Sequence, residues 1–269
     1  MIGFIGAGNM ASALIHGMIG GGVEPAELAA YDIDQKKLDS LRDLGVAVFQ
    51  SLGEIASSAE VLVLAVKPKD CQTALFALDK LKWSGNLVSV VTGWPQAKLS
   101  NALSSASGVL RMMPNTPAQV REGLIAINEN HSMAALQFAT VQNAFSKCGV
   151  IFEISESLFD AVTSISGSGP AYVYLFMEAL ADAGVREGLP RQMAYTLAAQ
   201  TVRGAATMVQ KTGKHPGALK DDVCSPGGTT IEAIAVLEKS GLRNAVMEAV
   251  RACAKKAKRM ARQDEGKSK

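Results

Sequence analysis

An apolar run, Ile2 to Ile5, breaks into Gly6-x-Gly8-x-x-Ala11 and passes straight into a helical pattern, IGFIGAGNMASALIHGM. No other stretch limits the possible folds so sharply. A strand that turns directly into a helix needs a residue such as Gly6 that tolerates the tight turn. Gly8 has no side chain to keep the backbone from a bound group, and Ala11 is small enough for helix and strand to pack closely. Glycine triplets alone are common in turns, so the weight lies in the context of strand before and helix after.

The alternation continues through LAAYD (28–32), VAVF (46–49), VLVLAV (61–66), NLVSVVT (86–92), GVLRM (108–112) and GLIAI (123–127). Strands alternating with helices predict a mostly parallel sheet covered on both faces, with the wholly apolar VLVLAV as a central strand. Past about residue 160 the strand signals stop. PAYVYLFMEALADAG (170–184) has Pro170 at a favoured first helical position and is apolar nearly all the way round, which predicts a buried helix. Its partner can lie in the same subunit or, as preferred here, in a second one. PRQMAYTLAAQTVRGAATMVQKTG (190–213) reads as another long helix, followed by a helix from about 229, a C-terminal one, and a frayed tail at 263–269. The fold class is thus an α/β Rossmann dinucleotide-binding domain over 1–157, followed by an all-α C-terminal domain over 158–269.

Open α/β sheets bind ligands beyond the carboxyl ends of their strands. The second strand ends at Asp32, where an acid is expected to accept hydrogen bonds from a ribose diol; Asp34 competes for the same role. A carboxylate there favours NAD(H) and repels the extra phosphate of NADP, a repulsion that Lys36 and Lys37 soften. VKP (66–68) and RMMPNTP (111–117) end two further strands, so Lys67 and Pro68 are expected at the cofactor crevice, with Asn115 or Thr116 to hydrogen-bond the nicotinamide or its ribose. Lys67 and Arg111 are candidates for substrate or cofactor charge, or else ordinary charges at strand ends.

Composition narrows the rest. A net charge of only +2 offers no argument for a nucleic-acid partner, and the basic run RACAKKAKRMAR (251–262) reads as the wet face of an amphipathic helix. Four scattered cysteines without a C-x-x-C pair suit a reducing compartment, and three histidines without H-E-x-x-H predict no metal. No apolar run approaches the roughly 20 residues that span a bilayer, so no membrane role is expected. With an apolar run starting at Ile2 and no basic leader, the location expected is cytoplasmic.

The remaining stretch with unusual grammar is DDVCSPGGTTIEAIAVLE (221–238). Thr229 and Glu232 fit a capping box, which predicts a well-capped helix behind a flexible turn. A second reading is an anion receptor, because glycines at 227 and 228 leave N–H groups unshielded at a positive helix end. Architecture alone does not name a substrate. The β-hydroxyacid dehydrogenases carry a catalytic lysine after a Gly-rich helix start, and SISGSGPAYVYLFMEALADAG has none. Reduction of an already protonated imine, which needs no strong protein acid, fits better.

Six stretches together resemble the pyrroline-5-carboxylate reductases, over essentially the whole length: GFIGAGNMASA (3–13), AVKP (65–68), RMMPNTP (111–117), SGSGPAYVY (166–174), HPGALKDDVCSPGGTT (215–230) and IEAIAVLE (231–238). The resemblance implies hydride transfer from NAD(P)H to a cyclic imine acid, giving proline, and a helical domain that dimerises, alone or in a ring of dimers. It implies cofactor contacts at Gly6, Gly8, Asn9, Met10, Ala11, Asp32, Lys67, Pro68 and Asn115. It places the substrate carboxylate on Ser225, Gly227, Gly228 and Thr229, with the Thr230 hydroxyl against the ring nitrogen as the catalytic contact. Two positions depart from the family pattern: VTGWP (91–95) replaces a small A-A-G-V run, putting Trp94 on the expected cofactor side, and Lys214 replaces an acid before HPG. The rival readings are a regulatory dinucleotide-binding protein and a reductase of the six-membered imine analogue.

Overall fold

A computed structural model describes residues 1–263, so the tail expected over 263–269 lies, apart from Gln263, outside the described residues. The chain divides into two compact units, Met1–Ser168 with the chain from Cys253 on, and Gly169–Ala252. The first unit carries strands β1 (Ile2–Ile5), β2 (Leu28–Tyr31), β3 (Ala47–Val48), β4 (Val61–Leu64), β5 (Asn86–Ser89), β6 (Gly108–Met113), β7 (Gly123–Asn128) and β8 (Gly149–Ile154). Between and after them run helices α1 (Asn9–Gly20), α2 (Lys36–Asp43), α3 (Leu52–Ser58), α4 (Pro68–Lys80), α5 (Gln96–Ala102), α6 (Ala135–Ser146) and the short α7 (Phe159–Val162).

One eight-stranded sheet results, in the order β3-β2-β1-β4-β5-β6-β7-β8. The order reverses between β1 and β4, the kind of point at which open sheets form a crevice. Pairing of Ile5 with both Tyr31 and Leu64 brings the carboxyl ends of β1, β2 and β4 level. Period-two alternation splits the core into two layers. Phe4, Val61 and Val63 join Leu14, Ile15 and Met18 on one face, while Ile5, Leu62 and Leu64 join Ile55, Leu75 and Leu99 on the other. Each such fully buried side chain contributes on the order of 1.5–3 kcal/mol.

The sheet is mostly parallel, as expected, and two of its features go beyond what the sequence pattern specified. β6 and β7 are antiparallel, because the link of residues 114–122 is too short for the crossover of a dozen or more residues that a parallel pair needs. β8, GVIFEI, was not among the expected strands; it is an edge strand with Val150 and Phe152 exposed, and its pattern lacks the continuous apolar run of the central strands.

A cap related in form to the capping box is made at the start of α3, with the return bond going to the residue before the cap. Ser51 Oγ accepts the Glu54 N–H at 3.2 Å, and a Glu54 carboxylate oxygen accepts the Gln50 N–H at 2.9 Å. Ser51→Ala is expected to cost about 1 kcal/mol, read as a lowered denaturation midpoint with unchanged slope.

The second unit is helical: α8 (Gly169–Arg186), α9 (Arg191–Thr212), α10 (Pro216–Val223), α11 (Thr229–Lys239) and the part of α12 (Leu242–Gln263) up to Ala252. α8 outruns its expected end at Gly184 by two residues, and α10 was not foreseen. Its cap explains the HPG signature: His215 Nδ1 accepts the Gly217 N–H at 3.0 Å, and Pro216 takes the first helical position. A small cluster of Ala181, Ala194 and Ala198, with Val185 and Leu189, closes α8 on α9. The burial expected for α8 is not met within its own chain. Tyr174, Leu175 and Phe176 stay exposed, at 58%, 68% and 42%, because no further layer of this unit covers them.

Candidate functional site

In the first unit a cleft of about 510 Å³ opens at the carboxyl ends of β1, β2 and β4. Ile5, Gly6 and Gly8 line one side, Tyr31 and Asp32 another, and Ala65, Val66 and Lys67 a third. Gly6 has φ +97°, and a Cβ on it would stand 2.7 Å from the Ala65 carbonyl oxygen. Only glycine fits that turn. Gly8 caps α1 in extended conformation, and a Cβ there would meet nothing within 4 Å, so its backbone faces open space. The α1 start has no side-chain cap, which leaves its first N–H groups available to an anion. These features fit a pyrophosphate.

Asp32 is 7% exposed. Its Oδ2 accepts the Ala7 N–H at 2.8 Å, its Oδ1 accepts the Asp34 N–H at 2.8 Å, and Lys37 Nζ lies 3.3 and 3.5 Å from the two oxygens. Burial pushes the carboxyl up, but the two backbone donors and the ammonium outweigh it, and its pKa falls below the ordinary value. Because that pKa is depressed, its contribution is complete at neutral pH and is lost only as pH falls below the unfolded value of about 3.9. Of the competing acids, Asp32 lines the cleft and Asp34 does not.

The other expected cofactor residues take separate places. Ala11 is fully buried against the sheet, whereas Asn9 is exposed and Met10 half-buried at the first turn of α1. Lys67 caps α4 and Pro68 is its first residue, with Lys69 and Asp70 lining the cleft just beyond. Asn115 is buried and its amide is engaged on both sides: Nδ2 donates to the Ser166 carbonyl at 3.1 Å, and Oδ1 accepts the Leu124 N–H at 2.9 Å. It does not line the cleft.

Arg111 requires a correction. Read as a candidate charge for ligand, it is 4% exposed and pairs with Glu156, while its guanidinium lies 4.2 Å over the Phe159 ring. Glu156 also accepts the Asn128 amide, so the charge is consumed inside the unit. Trp94 is corrected likewise. It is 1% exposed in the second core layer with Leu75 and Leu99, and Lys98 Nζ sits 3.9 Å over its ring. Its bulk therefore fills the core and takes no part in the cleft.

In the second unit the stretch 225–230 forms a turn leading into α11. The Gly228 N–H donates to the Ser225 carbonyl at 3.0 Å, and Gly227 has φ +67°, the pattern of a type II turn with Pro226 at its second position. A Cβ on Gly228 would stand 2.3 Å from Ser225 Oγ, so a larger residue there would turn the Ser225 hydroxyl out of its place in the turn. The capping box expected at Thr229 and Glu232 is absent. Gly228 is the cap residue, Thr229 is already helical, and no side chain bonds the helix start. The N–H groups of the first turn of α11 are thus left without a side-chain acceptor. Ser225, Gly227 and Thr229 are exposed, and Gly228 and Thr230 half-buried. Cys224 ends α10 just before the turn. Lys214 pairs with Asp222 at 3.2 Å on the surface.

Neither the fold nor the cleft names a reaction, but together they define a dinucleotide-binding protein of the open α/β class. Residues 156–260 match the family model described as pyrroline-5-carboxylate reductase dimerisation, and residues 1–93 match that of NADP oxidoreductase coenzyme F420-dependent. The chain is 44% identical to the pyrroline-5-carboxylate reductase of Arabidopsis thaliana, covering 96% of this chain and 95% of that one. It is 42% identical to that of Escherichia coli (strain K12), covering 97% and 98%. The chain belongs to the pyrroline-5-carboxylate reductase family. Among solved structures it is similar to a Plasmodium falciparum pyrroline carboxylate reductase with NADP bound, at TM-score 0.88 and 36% identity over 97% of each chain.

Proposed function

We infer that the chain reduces 1-pyrroline-5-carboxylate to proline, using NAD(P)H, as a homo-oligomer. The observation that carries the substrate reading is the turn at 225–228, which delivers an uncapped helix start in a chain of this family. When bound, the dinucleotide would supply a hydride from nicotinamide C4 to the imine carbon of the pyrroline ring, the carbon that becomes Cδ of proline. The protein's task is to bind, orient and shield. On the cofactor side we assign Gly6, Gly8, Asn9, Met10, Ala11, Lys67 and Pro68, with Asn115 holding the loop at 114–117 in place. On the substrate side a small carboxylate is held by the turn of Ser225, Gly227 and Gly228 and by Thr229 at the helix start, without need of an arginine. The Thr230 hydroxyl orients the ring nitrogen. The iminium already carries its positive charge, so no side chain is assigned as a dedicated acid.

Domain limits of 1–157 and 158–269 rest on the start of the dimerisation match at residue 156, whereas the compact units part at Ser168 and return the chain from Cys253 on to the first unit. A dimer or ring of dimers is supported by the exposed apolar face of α8 at Tyr174, Leu175 and Phe176. A cytoplasmic location accords with the absence, among the described residues, of a helix long and apolar enough to cross a membrane.

The test is oxidation of NADPH and of NADH by the pure protein with 1-pyrroline-5-carboxylate added. Thr230→Ala is expected to lower kcat about 10- to 100-fold with dinucleotide affinity unchanged, the loss proper to one positioned hydroxyl. A full-speed variant would remove Thr230 from the mechanism. Turnover only with the six-membered analogue would replace the substrate.

A further inference from the structure

Asp32 occupies the place of an acid that selects NADH, but its surroundings give it other work. An ionised carboxylate offers about four lone-pair positions. Here one on each oxygen is taken by a backbone N–H, of Ala7 inside the glycine turn and of Asp34, and Lys37 Nζ spans what is left at 3.3 and 3.5 Å. A ribose diol has to displace that ammonium before it can reach the carboxylate. A phosphate does not. The Lys37 side chain is 45% exposed and its Nζ also lies 3.9 Å from Asp34 Oδ2, a half-exposed carboxylate; an ammonium has three donors, so it can keep Asp32 and, by releasing the longer Asp34 contact to water, turn an N–H to an anion. Lys67 and Lys69 line the same cleft, against Asp32 and Asp70, so the cations exceed the acids there.

Resting on the dinucleotide reading above, we propose that Lys37 sets this chain's preference for NADPH by binding the 2′-phosphate, and that Asp32 is a positioning residue for the glycine turn. Asp32 ties Ala7 to the end of β2, which holds Gly6 and Gly8 in register with the cleft. It acts on both dinucleotides alike and selects neither. The lean toward NADH drawn from Asp32 in the sequence is thereby reversed.

The experiment is titration calorimetry of the full chain with NADPH and with NADH, for the parent, Lys37→Gln, Lys37→Arg and Asp32→Asn. The parent is expected to bind NADPH more tightly. Lys37→Gln should weaken NADPH about tenfold or more, as the loss of one charge-assisted phosphate contact, and leave NADH no weaker than before. Lys37→Arg should keep the preference. Asp32→Asn should weaken both dinucleotides by a similar factor, leaving their ratio where it was. A parent that prefers NADH, a Lys37→Gln variant that loses both equally, or an Asp32→Asn variant whose ratio swings toward NADPH would each overturn the proposal. Should Asp32→Asn fail to fold, the Lys37→Gln titrations decide it alone. Turnover of 1-pyrroline-5-carboxylate, measured beside the titrations, separates the two readings: selective binding without turnover sinks the substrate and leaves Lys37 standing, and binding of neither dinucleotide sinks both.

Discussion

Gly6→Ala is expected to weaken binding of both dinucleotides by about 100-fold, equivalent to roughly 2.7 kcal/mol. The added Cβ would stand 2.7 Å from the Ala65 carbonyl oxygen and 2.9 Å from its carbon, so the obstacle is backbone of the neighbouring strand end and not a side chain that can swing away. A φ of +97° adds strain for any residue with a Cβ. The turn has to open, and opening it displaces Ala7 from Asp32 and Gly8 from the mouth of the cleft. The sheet lies beneath the turn, so the far-ultraviolet circular dichroism should change little. Titration calorimetry with NADPH checks the prediction, and an affinity within about threefold of the parent would show that the turn does not hold the dinucleotide.

Glu156→Ala is the second large effect, and it acts on stability. It strips the carboxylate from Arg111, which is 4% exposed, and from the Asn128 amide, leaving a buried guanidinium with only the Phe159 ring and neighbouring polar atoms. Arg111 is buried but the Glu156 side chain is 36% exposed, so water screens part of the loss and the cost is about 2 kcal/mol, enough to lower Tm by roughly 4–8 °C in a unit of this size. Arg111→Met with Glu156→Gln should recover part of the loss, because the uncompensated charge leaves with its partner. A double-mutant cycle in denaturant decides the matter: additive losses would show that the pair is not coupled. Dinucleotide affinity of the double variant should stay near the parent's, since neither residue lines the cleft.

The two corrections at Arg111 and Trp94 share a cause. Both sit near the ends of strands, where the rule for open sheets places ligand-binding residues, and both have side chains large enough to reach inward instead. Arg111 met a carboxylate 45 residues further along the chain, a partner that no local pattern announces. Trp94 met core residues from α4 and α5. Thr229 and Glu232 show the opposite limit: the spacing of a capping box was present, but the turn at Ser225–Gly228 placed the helix start one residue early. Ser51 and Glu54, with the same spacing, do make the side-chain cap, and Glu54 returns its bond to the Gln50 N–H.

By itself the sequence determined the alternation of strands and helices in the first half and their replacement by helices in the second. It also settled the glycine turn at Gly6 and Gly8 and the turn ahead of α11. These follow from local causes: side-chain period, the missing Cβ of glycine and the fixed φ of proline. Tertiary structure alone decided the antiparallel β7, the Arg111–Glu156 pair and the partners of Asp32. Each of these depends on which groups distant in sequence are brought within hydrogen-bond reach. The Asp32 carboxylate is spoken for by Ala7, 25 residues earlier, and by Lys37 on the next helix, a competition for lone pairs that only the folded chain arranges.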